Sequence, residues 1–418
     1  MSTLRLGIVG AGFVAHFHLR ALSQVRGISV DGVVSRTASS AEALADEVKH
    51  SDLGAGVVYR NVHEMAFHVD AIAIFVANFA RVEIMEAIAA AVQAGATVKS
   101  VICEKPLGRN VAEARRMVEL AGSAGLNTAY FENQIFMSTI QAQRAQLEQQ
   151  QRTMGSFLLT RSAEEHGGPH EAWFWDPTQQ GGGVLSDMGC HSIAVGWYLL
   201  PPPDRAPDFL RPVSVSADCA LLKWGLPTWR QKLLDDHGVD YAKTPAEDFA
   251  TGVVTFENPE TGQRVKSQFT DSWMFEKQGL RLSMDGMGPG YAFEINTLQS
   301  PLDIFIGDVA ASAIADAETA LEKSTASRGL LAVQPNEPDL YGYTDENREA
   351  ASAFASGKDG YLSWYYGLEI TRLVMAAYLS HERGCTTDLT DAAVIEELES
   401  YVPLIQQGKG ASLLLGRN

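Results

Sequence analysis

The apolar run Leu4–Val9 breaks directly into Gly10-Ala11-Gly12-Phe13-Val14-Ala15, and then into a helical stretch reaching about Leu22. A buried-strand pattern, a glycine turn and a helix, in that order, leave few folds open. They form the strand–turn–helix context in which a Gly-x-Gly-x-x-Ala turn reads as a dinucleotide site. Gly10 permits the tight turn, Gly12 lets backbone approach a pyrophosphate, and Ala15 allows close helix–strand packing. The helix N-terminus favours the diphosphate charge. Phe13 and Val14 complete the turn and join Gly10 and Gly12 as candidate cofactor contacts.

Strand and helix continue to alternate. Val30–Val34, Ala71–Val76, Val101–Cys103 and Asn127–Tyr130 are strand-like, while Ser39–Val48, Val82–Ala94 and Ala112–Ala124 are helical. Short links between them predict a doubly wound parallel sheet, a Rossmann domain over residues 1–135. From about Phe136 the rhythm changes. Gln141–Arg152 is expected as a helix with a solvated face, Ser156–Ala163 as a strand, and Gly181–Leu200 as a helix stopped by Pro201-Pro202-Pro203. Strand-like runs follow at Val213–Leu222, Ala250–Glu257, Val265–Trp273, Leu280–Gly286 and Tyr291–Asn296, with a hairpin turn at Asn258–Gly262. Glu346–Ala355 and Tyr365–Arg383 return to helix. Residues 136–418 are therefore expected as an α+β domain with a largely antiparallel sheet, giving the whole chain an α/β class. The stretch 200–245 and the tail Thr387–Asn418 carry no functional signal.

A length of 418 residues favours two domains over one core. With 33 Lys plus Arg against 51 Asp plus Glu the net charge is −18, which repels phosphate backbones and anionic membranes and argues against nucleic-acid binding. The 4 cysteines, Cys103, Cys190, Cys219 and Cys385, show no CxxC spacing and suit a reducing compartment. Met1–Arg5 runs straight into a strand with no signal-peptide pattern, and the apolar stretches fall short of a bilayer span. A soluble, cytoplasmic protein is the expectation.

The end of the second strand bears on cofactor choice. A carboxylate there would bind the ribose hydroxyls of NAD. Ser35-Arg36-Thr37 instead offers a hydroxyl and a guanidinium suited to the phosphate of NADP, although Arg36 can equally stack on adenine or lie in solvent. Asp31 lies within the strand. NAD(P) is expected, leaning to NADP. Glu104-Lys105-Pro106 follows a buried strand at the carboxyl edge of the sheet, where ligands bind, and proline biases Lys105 toward an extended backbone. Asp187 and His191 stand at i and i+4 of the expected helix, after Gly181-Gly182-Gly183, so they share a face. An imidazole beside a carboxylate can act as a general base, or can be a plain surface ion pair; Cys190 between them suits packing. Glu164-Glu165-His166-Gly167-Gly168-Pro169-His170 and Trp173-Phe174-Trp175 set aromatic faces beside polar groups, which suits a sugar. His166, His170, Trp173, Trp175 and Asp187 are thus candidate substrate contacts. The same segment can serve a divalent metal or packing alone, and no metal site is assigned.

Together these residues resemble the glucose–fructose oxidoreductase, inositol dehydrogenase and rhizopine-catabolism family (Gfo/Idh/MocA). The resemblance is carried by the glycine turn, Asn78, Glu104-Lys105-Pro106-Leu107 and the block Gly181–His191. It implies a Rossmann domain followed by a domain whose open sheet builds homodimers or homotetramers. It also implies hydride transfer between nicotinamide and a sugar or polyol. Lys105 would be the catalytic lysine, His191 the proton acceptor and Asp187 its substrate-side partner. Asn78, Glu104 and Lys105 would line the nicotinamide. Arg81, where many relatives have histidine, the long stretch 200–245, and Tyr130-Phe131-Glu132-Asn133-Gln134 depart from the common pattern. The segment from Glu165 to Trp175 is similar to a branch that oxidises glycosides at C3. Two alternatives stay open: a redox-assisted glycosidase or lyase with no net cofactor consumption, and a cofactor-binding regulator without turnover.

Overall fold

The computed structural model describes residues 3–277, 279–298, 303–306, 329–332 and 336–415. It resolves into two compact units, one of Met1–Ser138 with Pro338–Thr371, the other of Thr139–Glu337 with Arg372–Asn418. The last three residues of the expected tail lie outside the described residues.

The first unit holds β1 (Leu4–Val9), α1 (Phe13–Leu22), β2 (Ile28–Val34), α2 (Ala38–His50), β3 (Val57–Val58), α3 (Val62–Met65), β4 (Ala71–Ile74), α4 (Arg81–Gln93), β5 (Ser100–Glu104), α5 (Val111–Ser123) and β6 (Asn127–Phe131). Its sheet has the order β3-β2-β1-β4-β5-β6, with every pair parallel. Chain direction across the sheet reverses between β1 and β4, the switch point where doubly wound sheets bind ligands. Both faces are covered, so the strands are apolar runs rather than alternating ones. Leu6, Ile8, Ala73 and Ile102 share a buried core with Ala15, Leu19 and Leu22 of α1 and Leu44 and Val48 of α2.

The helix Tyr343–Ala355 joins this core through Ala350, Ala351 and Phe354. Its downstream segment covers the free edge of β6. Tyr130 N–H donates to the Leu362 carbonyl at 2.8 Å, Thr128 N–H to Asp359 Oδ1 at 2.6 Å, and Gly360 N–H to the Thr128 carbonyl at 3.0 Å. An edge strand left bare is a template for unwanted pairing, and here it is closed from far along the sequence.

The second unit contains α6 (Ser138–Met154), whose first residue falls at the division, then β7 (Leu159–Glu165), α7 (Ala172–Trp175), α8 (Pro177–Gln180) and a π turn at Leu185–Gly189. It continues with α9 (Cys190–Leu199), β8 (Arg211–Ala220), α10 (Pro227–His237), β9 (Phe249–Glu257), β10 (Arg264–Ser272), β11 (Arg281–Gly288) and β12 (Tyr291–Asn296). Its seven-stranded sheet runs β12-β11-β7-β10-β9-β8 and ends on the short strand Thr387–Asp388. Only β7 and β10 pair in parallel. All ten residues of α9 are buried, as expected of a helix that is apolar all round. It packs on β7 and β10, and Thr160 Oγ1 donates to the Gly196 carbonyl at 3.0 Å. The expected hairpin turn forms, closed by Asn258 N–H on the Gln263 carbonyl at 2.8 Å.

The helix expected from Gly181 to Leu200 needs correction. Gly181–Leu200 is not one helix. Gly181 is the left-handed cap that ends α8, and the chain then enters the π turn before α9. Such wide turns break a helix's regular spacing and often mark functional positions.

Candidate active site

At the end of β1, Gly10 has φ of +106°, and a Cβ there would stand 2.2 Å from the Phe75 carbonyl oxygen. Any side chain is excluded, which fixes the tight turn. Gly12 differs: its φ is −91°, and a Cβ would meet nothing within 4 Å. It is the N-cap of α1, which has no side-chain cap and no acidic residue in its first turn. An uncapped helix start with open approach fits the diphosphate of a dinucleotide. Phe13 is 38% exposed, Val14 is half-buried and Ala15 is fully buried against the sheet. Past β2, Ser35 Oγ lies 2.8 Å from Ser40 Oγ, which also meets Thr37 Oγ1 at 2.6 Å, while Arg36 is exposed. Asp31 instead accepts Ala55 N–H.

Asn78 is buried on the turn that precedes α4, and Lys105 is half-buried just after β5, joined to Pro106 by a cis peptide. Arg81, the first residue of α4, is 4% exposed. Its guanidinium donates to the carbonyls of Val76 at 3.3 Å, Glu104 at 2.6 Å and Lys105 at 3.0 Å, and also to that of Pro106.

Glu104 Oε2 accepts Lys105 N–H at 3.1 Å, and its Oε1 lies 2.9 Å from His18 Nε2. The His18 ring stacks on Phe75 at 4.2 Å between centroids. Asn347 Nδ2 donates to the Tyr343 carbonyl at 2.8 Å and approaches His18 Nδ1 at 2.8 Å. An amide nitrogen can only donate, so Nδ1 accepts and the ring proton sits on Nε2, facing Glu104. Burial, then the charges of Glu104 and Glu132, push the Glu346 carboxyl well above the usual range. His18, Glu104 and Glu346 stand close enough to bridge a cation. The protonated Nε2, however, has no lone pair to give one, and the group is better satisfied by shared protons. The motifs gave no notice of His18, Glu346 or Asn347; the available signal was polar residues at apolar positions of two amphipathic helices.

In the second unit, Asp187 and His191 are each 4% exposed, the first on the π turn and the second on α9. The glycines before them admit an anchor. Gly183 N–H donates to Glu247 Oε1 and Oε2, both at 3.0 Å, and Leu185 N–H donates to Oε1 at 3.1 Å. Tyr378 Oη donates to the same oxygen at 2.6 Å. A Cβ on Gly183 would lie 2.1 Å from the Glu247 carbonyl oxygen. Burial pushes the Glu247 carboxyl up to about 7, against the opposing pull of Tyr378 and the backbone amides. On the sheet side, Ser192 Oγ donates to Asp271 Oδ1 at 2.6 Å, and burial also raises Asp271 well above its ordinary value. Glu247 and Asp271 lack any sequence signature. Cys190 turns its thiol to the Asp187 carbonyl at 3.2 Å.

The aromatic segment divides. His166 is 1% exposed, and its Nδ1 accepts Gly168 N–H at 2.9 Å. Trp175 is also 1% exposed. Its Nε1 donates to the Pro169 carbonyl, and its ring meets Trp224, Tyr241 and Trp273 at 4.6, 6.0 and 5.0 Å. Both pack into the core, and Trp175 is the hub on which part of the stretch 200–245 packs. Trp173, half-buried and stacked on Phe174 at 3.8 Å, and half-buried His170 keep accessible surface. Lys105 belongs to one unit and the Asp187–His191 pair to the other.

Among the described residues no helix is long and apolar enough to cross a membrane. A curated relative, glucose-6-phosphate 3-dehydrogenase of Bacillus subtilis, is 26% identical over 203 residues, covering 47% of this chain and 53% of that protein. The uncharacterised YMR315W of Saccharomyces cerevisiae is 31% identical over 211 residues, covering 48% and 56%. The chain thus spans about half the length of the curated relatives it matches. In fold it is similar to GenD2 from gentamicin A biosynthesis, solved with NAD (TM-score 0.72, 20% identity, 93% of this chain and 97% of that one). It is also similar to scyllo-inositol dehydrogenase of Lactobacillus casei, solved with NAD(H) and scyllo-inositol (TM-score 0.63, 16% identity, 93% and 100%). Residues 4–131 match the model of an oxidoreductase family with an NAD-binding Rossmann fold, and residues 143–287 match the C-terminal domain of the same family. With its glycine turn, its Glu-Lys-Pro strand end and both domains matched, the chain belongs to the Gfo/Idh/MocA oxidoreductase family.

Proposed function

We propose that the chain is an NAD(P)-dependent dehydrogenase of a sugar, glycoside or cyclic polyol, working as a homo-oligomer. The observation that carries this is the Asp187–His191 pair, nearly buried, with Asp187 on the π turn that Glu247 anchors and His191 on the following helix α9, in a chain that also keeps Lys105 beyond β5. When bound, the nicotinamide supplies the acceptor for the carbon-bound hydride. His191 takes the hydroxyl proton as general base, with Asp187 holding the imidazole and the substrate. Lys105 is the hydrogen-bond donor that stabilises charge as the carbonyl forms. Trp173 and His170, rather than Trp175 and His166, offer a face and a rim to the ring of the substrate. Exposed Arg36, with no carboxylate among Ser35-Arg36-Thr37 beyond β2, supports NADP over NAD.

The test is NMR of the purified protein with NAD⁺ or NADP⁺ and a panel of glycosides, sugar phosphates and inositols, with reduced cofactor followed in parallel. A keto-sugar forming in step with reduced nicotinamide is expected, faster with NADP⁺, and Arg36→Ala should erase about tenfold of that cofactor preference. Release of aglycone without net cofactor reduction would replace the dehydrogenase by a redox-assisted lyase.

A further inference from the structure

We infer that Arg81 is a positioning residue for Lys105, acting through the main chain. Four carbonyls accept from its one guanidinium: Val76 beyond β4, and Glu104, Lys105 and Pro106 in succession from the last residue of β5. At 4% exposure this charge has little water to fall back on, so its donors must be met by protein. The carbonyls have the same need. Holding three consecutive peptide units from one rigid plane fixes the orientation of each, and with them the direction in which the Lys105 side chain leaves the backbone.

Only arginine fits this task. Its planar fork presents five donors in fixed directions, whereas an ammonium concentrates three at one point and a neutral imidazole has one. The same guanidinium ties the turn to the end of β4, two residues before Asn78. The carboxyl ends of β4 and β5, neighbours in the sheet, are thereby held as one body. Arg81 touches no reacting atom in this scheme; it sets where Lys105 stands.

The inference builds on the dehydrogenase proposal, so its test has a readout that needs no turnover. Protein labelled at the lysine Cε carbon gives an NMR signal for Lys105, assigned by its loss in Lys105→Arg. Arg81→Gln should move that signal toward those of exposed lysines. It should also lower kcat about a hundredfold, the scale of a misplacement near 1 Å, while cofactor Kd changes less than about threefold. Tens of millimolar guanidinium should restore part of kcat to Arg81→Ala and none to Lys105→Ala, a rescue that a general loss of folding would not show. Should Arg81→Gln not fold, Arg81→Lys gives the same comparison with the charge retained. An unmoved Lys105 signal, or kcat within threefold of wild type, overturns the inference. If the wild-type protein oxidises no polyol, the dehydrogenase proposal fails, and the Lys105 signal alone decides the role of Arg81.

Discussion

At Gly10 the chain turns from strand to helix using contacts with its own sheet: the amide bonds to Val34 and the missing Cβ clears Phe75. At Gly183 the chain also enters a helical segment, but the bonds come from Glu247 and Tyr378, 64 and 195 residues away. The first passage leaves its helix start uncapped and open; the second fills its helix start with a buried carboxylate. A helix N-terminus attracts an anion in either case. One unit keeps that attraction for a ligand, and the other spends it on holding Asp187 and His191 still.

The largest effect that sharpens this contrast is chemical. His191→Ala should lower kcat by roughly 10³-fold, within the usual span for a general base, with cofactor Kd changed little. Turnover near wild type would remove the second passage from the chemistry altogether. Next come the glycines. Gly183→Ala drives a methyl into the Glu247 carbonyl and should cost about 2–4 kcal/mol, read from urea unfolding. Gly12→Ala meets open space at an ordinary φ, so Tm should fall by less than about 2 °C while the cofactor Kd rises roughly tenfold or more. Equal losses of stability from both would dissolve the distinction.

A pH dependence of stability is expected as well. Glu247 is raised from an ordinary 4.5 to about 7 in the fold, so the folded state holds that proton more tightly than the unfolded chain does. The stabilisation is complete below about pH 4.5 and is lost as pH rises through about 7, a span of roughly 3 kcal/mol. Glu247→Gln should flatten the stability profile between pH 5 and 8. A slope identical to wild type would mean that the carboxylate is already ionised at pH 5.

Local rules explain what was legible in the sequence. The turn at Gly10, the strand ending at Glu104 and the glycine run before Asp187 are each written in neighbouring residues, so the Rossmann sheet and the three candidate catalytic groups could be placed. Arg81 showed only as an unusual residue, because donors to main-chain carbonyls follow no side-chain pattern. His18 and Glu346 meet across most of the chain, and no spacing announces such a pair. The aromatic run around Trp175 is ambiguous for a physical reason: an indole suited to a sugar is equally suited to a core, and the packing of Trp175 on Trp224, Tyr241 and Trp273 is written nowhere in the run itself. The π turn was read as regular helix because the anchor that shapes its start, Glu247, lies 64 residues from Gly183.

The covering of β6 by residues from Asp359 to Leu362, and of the core by Phe354, bears on how such a protein can be recombined. A nucleotide-binding half cut after Ser138 would carry a bare sheet edge and an apolar hollow beside α1, an invitation to aggregate rather than a transferable module. Grafting this unit onto a relative therefore takes three crossovers, after Ser138, after Glu337 and after Thr371, where the chain passes from one unit to the other.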